Sequence, residues 1–255
     1  MIRAAVDLDD SVQIEMRRIV EALYGPPVRR LPGLDVGRAY RGAEGEFKYG
    51  GDVVDVFAYG GGFTALAVVD ITGHGMRAAT NAGLTKHALR AFASQGLDAR
   101  DCVRSLNRLC IENSRFEGDE EFFATLFFGI IQPDRRRMQY VAAGHEAAFF
   151  VEAGDSSILP ANGPIIGLLD DPSVFDQRIL ELHTGSTIVA VTDGFSEARD
   201  SAGTFLGSGR LVDVVRRNRG TQAEVQAEAI VQFAYEFSDE HLRDDVAALV
   251  VNITA

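Results

Sequence analysis

Apolar residues along the chain fall into short blocks with two different periods. Val53 to Tyr59 and Phe63 to Val69 are β-rich runs on either side of Gly60-Gly61-Gly62, which predicts a hairpin. Met76 to Ala93 and Ala99 to Asn113 show helical spacing. Leu84, Ala88, Leu89 and Phe92 fall on one face of the first, and Val103, Leu106, Leu109 and Cys110 on one face of the second. Phe122 to Gln132 and Met138 to Glu152 predict a second hairpin, with Pro133-Asp134 and three arginines at its tip. Thr187 to Thr192 predicts a strand, Leu206 to Asn218 and Gln222 to Phe237 two helices, and Asp245 to Ile253 a last strand. Upstream, Asp10 to Tyr24 has helical spacing through Val12, Ile14, Met16, Ile19, Val20 and Leu23, and Gly25-Pro26-Pro27 stops it. Leu31-Pro32-Gly33-Leu34 is a loop entering the first strand.

Hairpins interrupted by pairs of helices, without strict strand–helix alternation, predict an α+β fold with mainly antiparallel sheets. At 255 residues the chain is one large domain or a domain with a short extension, and 46% apolar content supports a sizeable core. Its longest apolar runs are strand-length, so no membrane span is expected. Met1 to Asp10 lacks the basic-then-apolar order of a signal peptide, and Cys102 and Cys110 form no Cys-x-x-Cys. Reduced thiols and a cytoplasmic location are the expectation. The net charge of −12 argues against nucleic acid as a partner, because phosphate backbones demand a basic footprint. Arg135-Arg136-Arg137 is the one compact basic run; a solvated turn is favoured over a docking spot for an acidic partner.

The chemistry concentrates in aspartates at strand ends. Asp70-Ile71-Thr72-Gly73-His74-Gly75 reads as a strand end, a carboxylate and a glycine-rich turn before a helix. Ile188 to Gly194 repeats the strand-then-aspartate arrangement at Asp193, Asp244-Asp245 precedes the last strand, and Gly50-Gly51-Asp52-Val53-Val54-Asp55 precedes the first hairpin. Any one of these reads as a turn or a helix cap. Together they point to a metal site assembled from distant parts of the chain, with oxygen ligands that favour Mg²⁺ or Mn²⁺. His74, in the glycine turn, is a candidate proton donor, with a positioning role preferred. His145 reads as a hydrogen-bonded turn residue ahead of a catalytic one, and His87, His183 and His241 as surface or boundary residues. No His-Glu-x-x-His, Gly-x-Ser-x-Gly or P-loop pattern occurs.

In these landmarks the sequence resembles the bacterial PPM (protein phosphatase 2C-like) serine phosphatases of the stage II sporulation protein E and stress sigma-factor regulator branch. The series continues through Leu106-Asn107-Arg108-Leu109, Phe123 to Gly129, Ala143-Gly144-His145, Gly163 to Leu168 and Thr192 to Ala198, ending at Asp244-Asp245. The resemblance implies two stacked antiparallel sheets flanked by helices on both sides, an α-β-β-α sandwich with the metal site at one end between the sheets. It further implies a metal-dependent protein-serine/threonine phosphatase over residues 31–255, with two Mn²⁺ or Mg²⁺ ions. Asp70 would bridge both ions, the carbonyl of Ile71 would bind one, and Asp193 and Asp244 the other. Asp52 would orient a metal-bound water, which makes Asp52, Asp70 and Asp193 the catalytic candidates. Asp55 would be a structural neighbour, and Asp245 would lie just outside the ligand set. The implied partner is a phosphorylated STAS-domain anti-sigma antagonist in a partner-switching pathway. Residues 1–30 would form a linker whose helix either pairs with a second copy, as in that family, or packs on its own domain. The chain departs from relatives at Val53-Val54, at Ala247 where threonine is common, and at Gly144-His145 where eukaryotic members carry Gly-Asp. Two other classes stand beside this reading. A catalytically weak regulatory module of the same fold is opposed by the intact acids, and a metal-dependent phosphodiesterase or nuclease by the acidity of the chain.

Overall fold

In β3 (Phe63–Ile71), side chains alternate between two apolar layers: Leu66 and Val68 enter one, while Ala65, Ala67, Val69 and Ile71 enter the other. A strand covered on both faces reads as one continuous apolar run, and this one does. A computed structural model of the protein describes residues 31–43, 51–73, 75–117, 122–145 and 148–254. The predicted helix over Asp10 to Tyr24 lies outside them.

One antiparallel sheet runs β2 (Val53–Tyr59), β3, β4 (Ala124–Ile131), β5 (Arg137–Ala143) and β8 (Arg178–Glu181). The other runs β1 (Leu34–Arg41), β10 (Val246–Ile253), β9 (Thr187–Val191), β6 (Ala148–Val151) and β7 (Ser156–Ile158). Every pairing in both sheets is antiparallel. Helices α1 (Met76–Ser94) and α2 (Ala99–Glu117) cover the first sheet. The short α3 (Asp193–Ser196), α4 (Gly209–Arg217) and α5 (Ala223–Phe237) pack on the second. Three apolar layers result: helices on sheet, sheet on sheet through Leu66, Val68, Phe127, Leu249 and Val251, and sheet on helices. This is the α-β-β-α sandwich expected above.

α1 meets the sheet through small residues, Ala78, Ala79, Ala82 and Gly83, together with Leu89 and Ala93. Leu84, assigned to this face from periodicity, is instead exposed, while Ala88, Leu89 and Phe92 pack against the core as expected. α5 sits directly on β1. A Cβ on Gly37 would lie 2.0 Å from the Ala223 carbonyl carbon, and the Ala223 N–H donates to Asp35 Oδ2 at 2.8 Å, capping the helix from the strand.

Two local expectations are corrected. The stretch Met138 to Glu152 is not one strand. It turns at Gly144 (φ 65°), where a Cβ would sit 2.6 Å from Ile165 Cγ1, and the chain crosses from β5 in one sheet to β6 in the other. The tip arginines are not simply solvated. Arg136 and Arg137 are exposed, but Arg135 adopts φ 59° and donates to the carbonyls of Pro32 (3.0 Å) and Gly62 (3.2 Å) and to Thr64 Oγ1 (3.1 Å). It ties three loops together at the pole opposite the candidate site. Cys102 and Cys110 are free and buried. Among the described residues no helix is long and apolar enough to cross a membrane.

Candidate metal centre

Four strand ends meet at one pole of the sandwich. Val53 pairs with Val69 across β2 and β3, so Asp52 and Asp70 stand side by side in the continuing register. Ala248 pairs with Val191 across β10 and β9, and the Thr192 N–H donates to the Ala247 carbonyl at 3.1 Å. Asp193 therefore begins α3 beside Asp244-Asp245 at the start of β10. Glycines let the backbones close: a Cβ on Gly194 would lie 2.0 Å from the Asp245 carbonyl oxygen, and one on Gly51 would lie 2.4 Å from that of Ile71. The Asp-Gly pair at Asp193-Gly194 is thus a close-approach device.

The acids are held from behind. Thr192 Oγ1–H donates to Asp52 Oδ2 at 2.6 Å, and the Ala247 N–H donates to Thr192 Oγ1 at 2.9 Å. Tyr40 O–H and the Ala43 N–H donate to the two oxygens of Asp245 at 2.9 and 2.8 Å, and the Asp245 N–H donates to Asp244 Oδ1 at 2.8 Å. The turn after Asp70 is fixed by Thr72, whose N–H and hydroxyl both donate to the Phe123 carbonyl, at 3.0 and 3.1 Å. Asp52 and Asp245 are buried, Asp70 is half-buried, and Asp193 and Asp244 face outward. A ligand approaching from solvent meets these last two first.

Burial, followed by the charge of Asp70, drives the Asp52 carboxyl well above the ordinary range. Asp70 is pushed up to about 7, first by burial and then by Asp193 and Asp244, and it is close enough to Asp193 to share a hydrogen bond with it. Burial, then neighbouring acids, raises Asp193; burial also raises Asp244. Among the described residues, the charges acting on Asp70 are all acidic. Such a cluster repels itself at neutral pH and is relieved by a cation. Among the described residues no three His, Cys, Asp or Glu side chains close a cage around one point. A hard divalent cation does not require a closed cage, because Mg²⁺-like ions take one or two carboxylates and keep water in their remaining positions. The donor set fits such ions.

Asp55 lies apart from this cluster. It is buried and bound bidentately by Arg90 of α1, with Nε and Nη2 both at 2.6 Å. His74 lies outside the described residues. His145 is buried, its Nε2 has no hydrogen-bond partner among the described residues, its ring is 6.1 Å from that of Phe127, and burial lowers its pKa to about 4. Sequence reasoning did not single out Thr192, Tyr40 or Arg90. The one signal for Thr192 was its place directly before Asp193 at the strand end.

Residues 60–254 match the Stage II sporulation protein E (SpoIIE) family, and the chain belongs to that family. It is similar to the phosphoserine phosphatase RsbU of Bacillus subtilis, with 26% identity over 190 residues, covering 73% of this chain and 54% of RsbU. Its fold matches the RsbU and RsbW domains of a Mycobacterium tuberculosis protein, with a TM-score of 0.74, 24% identity, and coverage of 88% of this chain and 61% of the other. The catalytic domain of the serine/threonine phosphatase PstP, solved with two manganese ions, matches with a TM-score of 0.63, 16% identity, and coverage of 87% and 100%. The chain spans between 31% and 59% of the length of the curated relatives it matches.

Proposed function

We propose that this chain is a metal-dependent phosphoprotein phosphatase acting on phosphoserine or phosphothreonine, with residues 31–255 as the phosphatase domain. The observation that carries the proposal is the convergence of Asp52, Asp70, Asp193 and Asp244, from both sheets, into a cluster with an unmet demand for positive charge. Asp70, between the other acids, would contact both of two Mn²⁺ or Mg²⁺ ions. The Ile71 carbonyl would hold one ion, and Asp193 and Asp244 the other. When bound, the ions supply Lewis acidity that activates water and neutralises phosphoryl oxygens. The protein's own contribution is positional. Asp52 orients the attacking water and takes up its proton, the Thr72–Phe123 bonds fix the Asp70 turn, and Tyr40 with Ala43 keeps Asp245 and hence Asp244 in place. Membership of the SpoIIE family and similarity to a phosphoserine phosphatase support the reaction class. The partner is a phosphorylated STAS-domain anti-sigma antagonist, consistent with the partner-switching character of the resembling regulators.

The test is incubation of the chelator-stripped protein with Mn²⁺ and a phosphorylated STAS-domain protein, alongside a phosphodiester substrate. Phosphate release from the phosphoprotein, and not from the diester, is expected. Cleavage of the diester at a comparable rate, or no release from any phosphoserine protein, would overturn the proposal.

A further inference from the structure

The hydrogen bond from Thr192 to Asp52 joins the two sheets. Thr192 ends β9 in one sheet, Asp52 precedes β2 in the other, and 140 residues of chain separate them. Thr192 is fully buried and Asp52 is 5% exposed, so water does not compete for the bond. The Ala247 N–H occupies one lone pair of Oγ1, and the hydroxyl donates to Asp52 Oδ2. A carboxylate on a short side chain at a strand's start has rotational freedom about two bonds. Here one of its oxygens is pinned from the opposite sheet.

We propose that Thr192 is a positioning residue for the reaction: its hydroxyl, set by the Ala247 N–H, fixes the rotamer of Asp52 across the gap between the sheets. The inference rests on the reading of Asp52 as the acid that orients the attacking water. A hydroxyl that only satisfied buried polar groups would matter to stability and not to turnover. A hydroxyl that aims Asp52 matters to kcat while metal affinity stays unchanged, because the groups that would hold the ions are Asp70, Ile71, Asp193 and Asp244.

The experiment measures kcat, KM, the half-activating Mn²⁺ concentration and Tm on a phosphoserine protein for Thr192→Val, Thr192→Ser and Asp52→Asn. Thr192→Val keeps shape and removes the donor. Its kcat should fall about 10- to 100-fold, the range for losing one hydrogen bond to a charged group, with KM and metal activation within about twofold, as expected for an interaction felt only in turnover. Thr192→Ser keeps the donor and should retain turnover. Should Thr192→Val not fold, Thr192→Cys, which keeps the volume with a weak donor, should show the same kcat loss. Wild-type kcat in either folded variant, or an equal loss in Thr192→Ser, overturns the inference. Asp52→Asn separates the two levels: if it is inactive while Thr192→Val is not, only the role of Thr192 fails, and if it is active, the reading of Asp52 fails.

Discussion

Two residues, Asp70 and His145, give the metal-free protein opposed responses to pH. Asp70 titrates near 7 in the folded chain and near 3.8 as a free side chain, so between those values the folded state holds a proton that the unfolded state has released. Its contribution to stability is present below about 3.8 and is lost as pH rises toward 7. His145 does the reverse. It is held near 4 by burial against an ordinary 6.5, so the unfolded chain takes up a proton first and stability falls as pH drops through that window. A displacement from 6.5 to about 4 corresponds to about 3 kcal/mol at full burial. Urea midpoints of metal-free wild type and His145→Leu from pH 7 to 4 should diverge, with wild type losing more. Parallel curves would place a partner on Nε2. For Asp70→Asn, which relieves the repulsion, apo stability above pH 7 should rise while phosphatase rate falls about 10²-fold or more, by analogy with losing a preorganised electrostatic group. A neutral or lowered apo stability would contradict the electrostatic account. Asp70, Asp193 and Asp244 were legible because each ends or begins an apolar run. Thr192 was not, since its one local signal, the place before Asp193, says nothing of a partner 140 residues away.

Between elements, the Asp55–Arg90 pair is the polar staple of α1 on β2. The Asp55 side chain is 3% exposed and that of Arg90 is 39% exposed, and the guanidinium also lies 4.9 Å over the Phe57 ring. Removing Arg90 leaves a buried carboxylate without its bidentate partner. Arg90→Leu should cost about 2 kcal/mol, below the usual penalty for breaking a buried pair because Arg90 itself is partly solvated. In a double-mutant cycle, Asp55→Asn should recover part of that loss, and strict additivity would remove the pair from the account. The elements themselves were largely readable from period and punctuation. The first hairpin, both long helices and the β9–Asp193 junction stand where the pattern put them. The failures have physical causes. β8 carries mostly exposed residues and so offers no apolar alternation, β7 is three residues long, and β5 and β6 are parted only by the short stretch Gly144 to Ala147. Arg135 looked like a solvated tip because its partners, Pro32, Gly62 and Thr64, come from distant loops.

For the molecule as a whole, the sandwich brings strand ends from both sheets to one pole, and the acids there have little reason to coexist except to bind cations. Residues 1–30 precede β1 at its Leu34 end, the pole away from the acids. We propose that they form a dimerising or regulatory segment. Deleting residues 1–26 should leave a folded protein that sediments as a monomer where the full chain sediments as a dimer. A full chain that remains monomeric at high concentration would exclude the dimer, and an insoluble truncation would assign the segment to the core instead. The central claim, that the acid cluster is a divalent-metal centre that drives phosphomonoester hydrolysis, has its most direct test in a Mn²⁺ titration of chelator-stripped protein, following heat of binding and phosphate release together, with Asp70→Asn in parallel. Two ions should bind to wild type, hydrolysis should rise with their occupancy, and Asp70→Asn should lose both responses. Full hydrolysis in the stripped protein, or unchanged binding and turnover in Asp70→Asn, would contradict the claim.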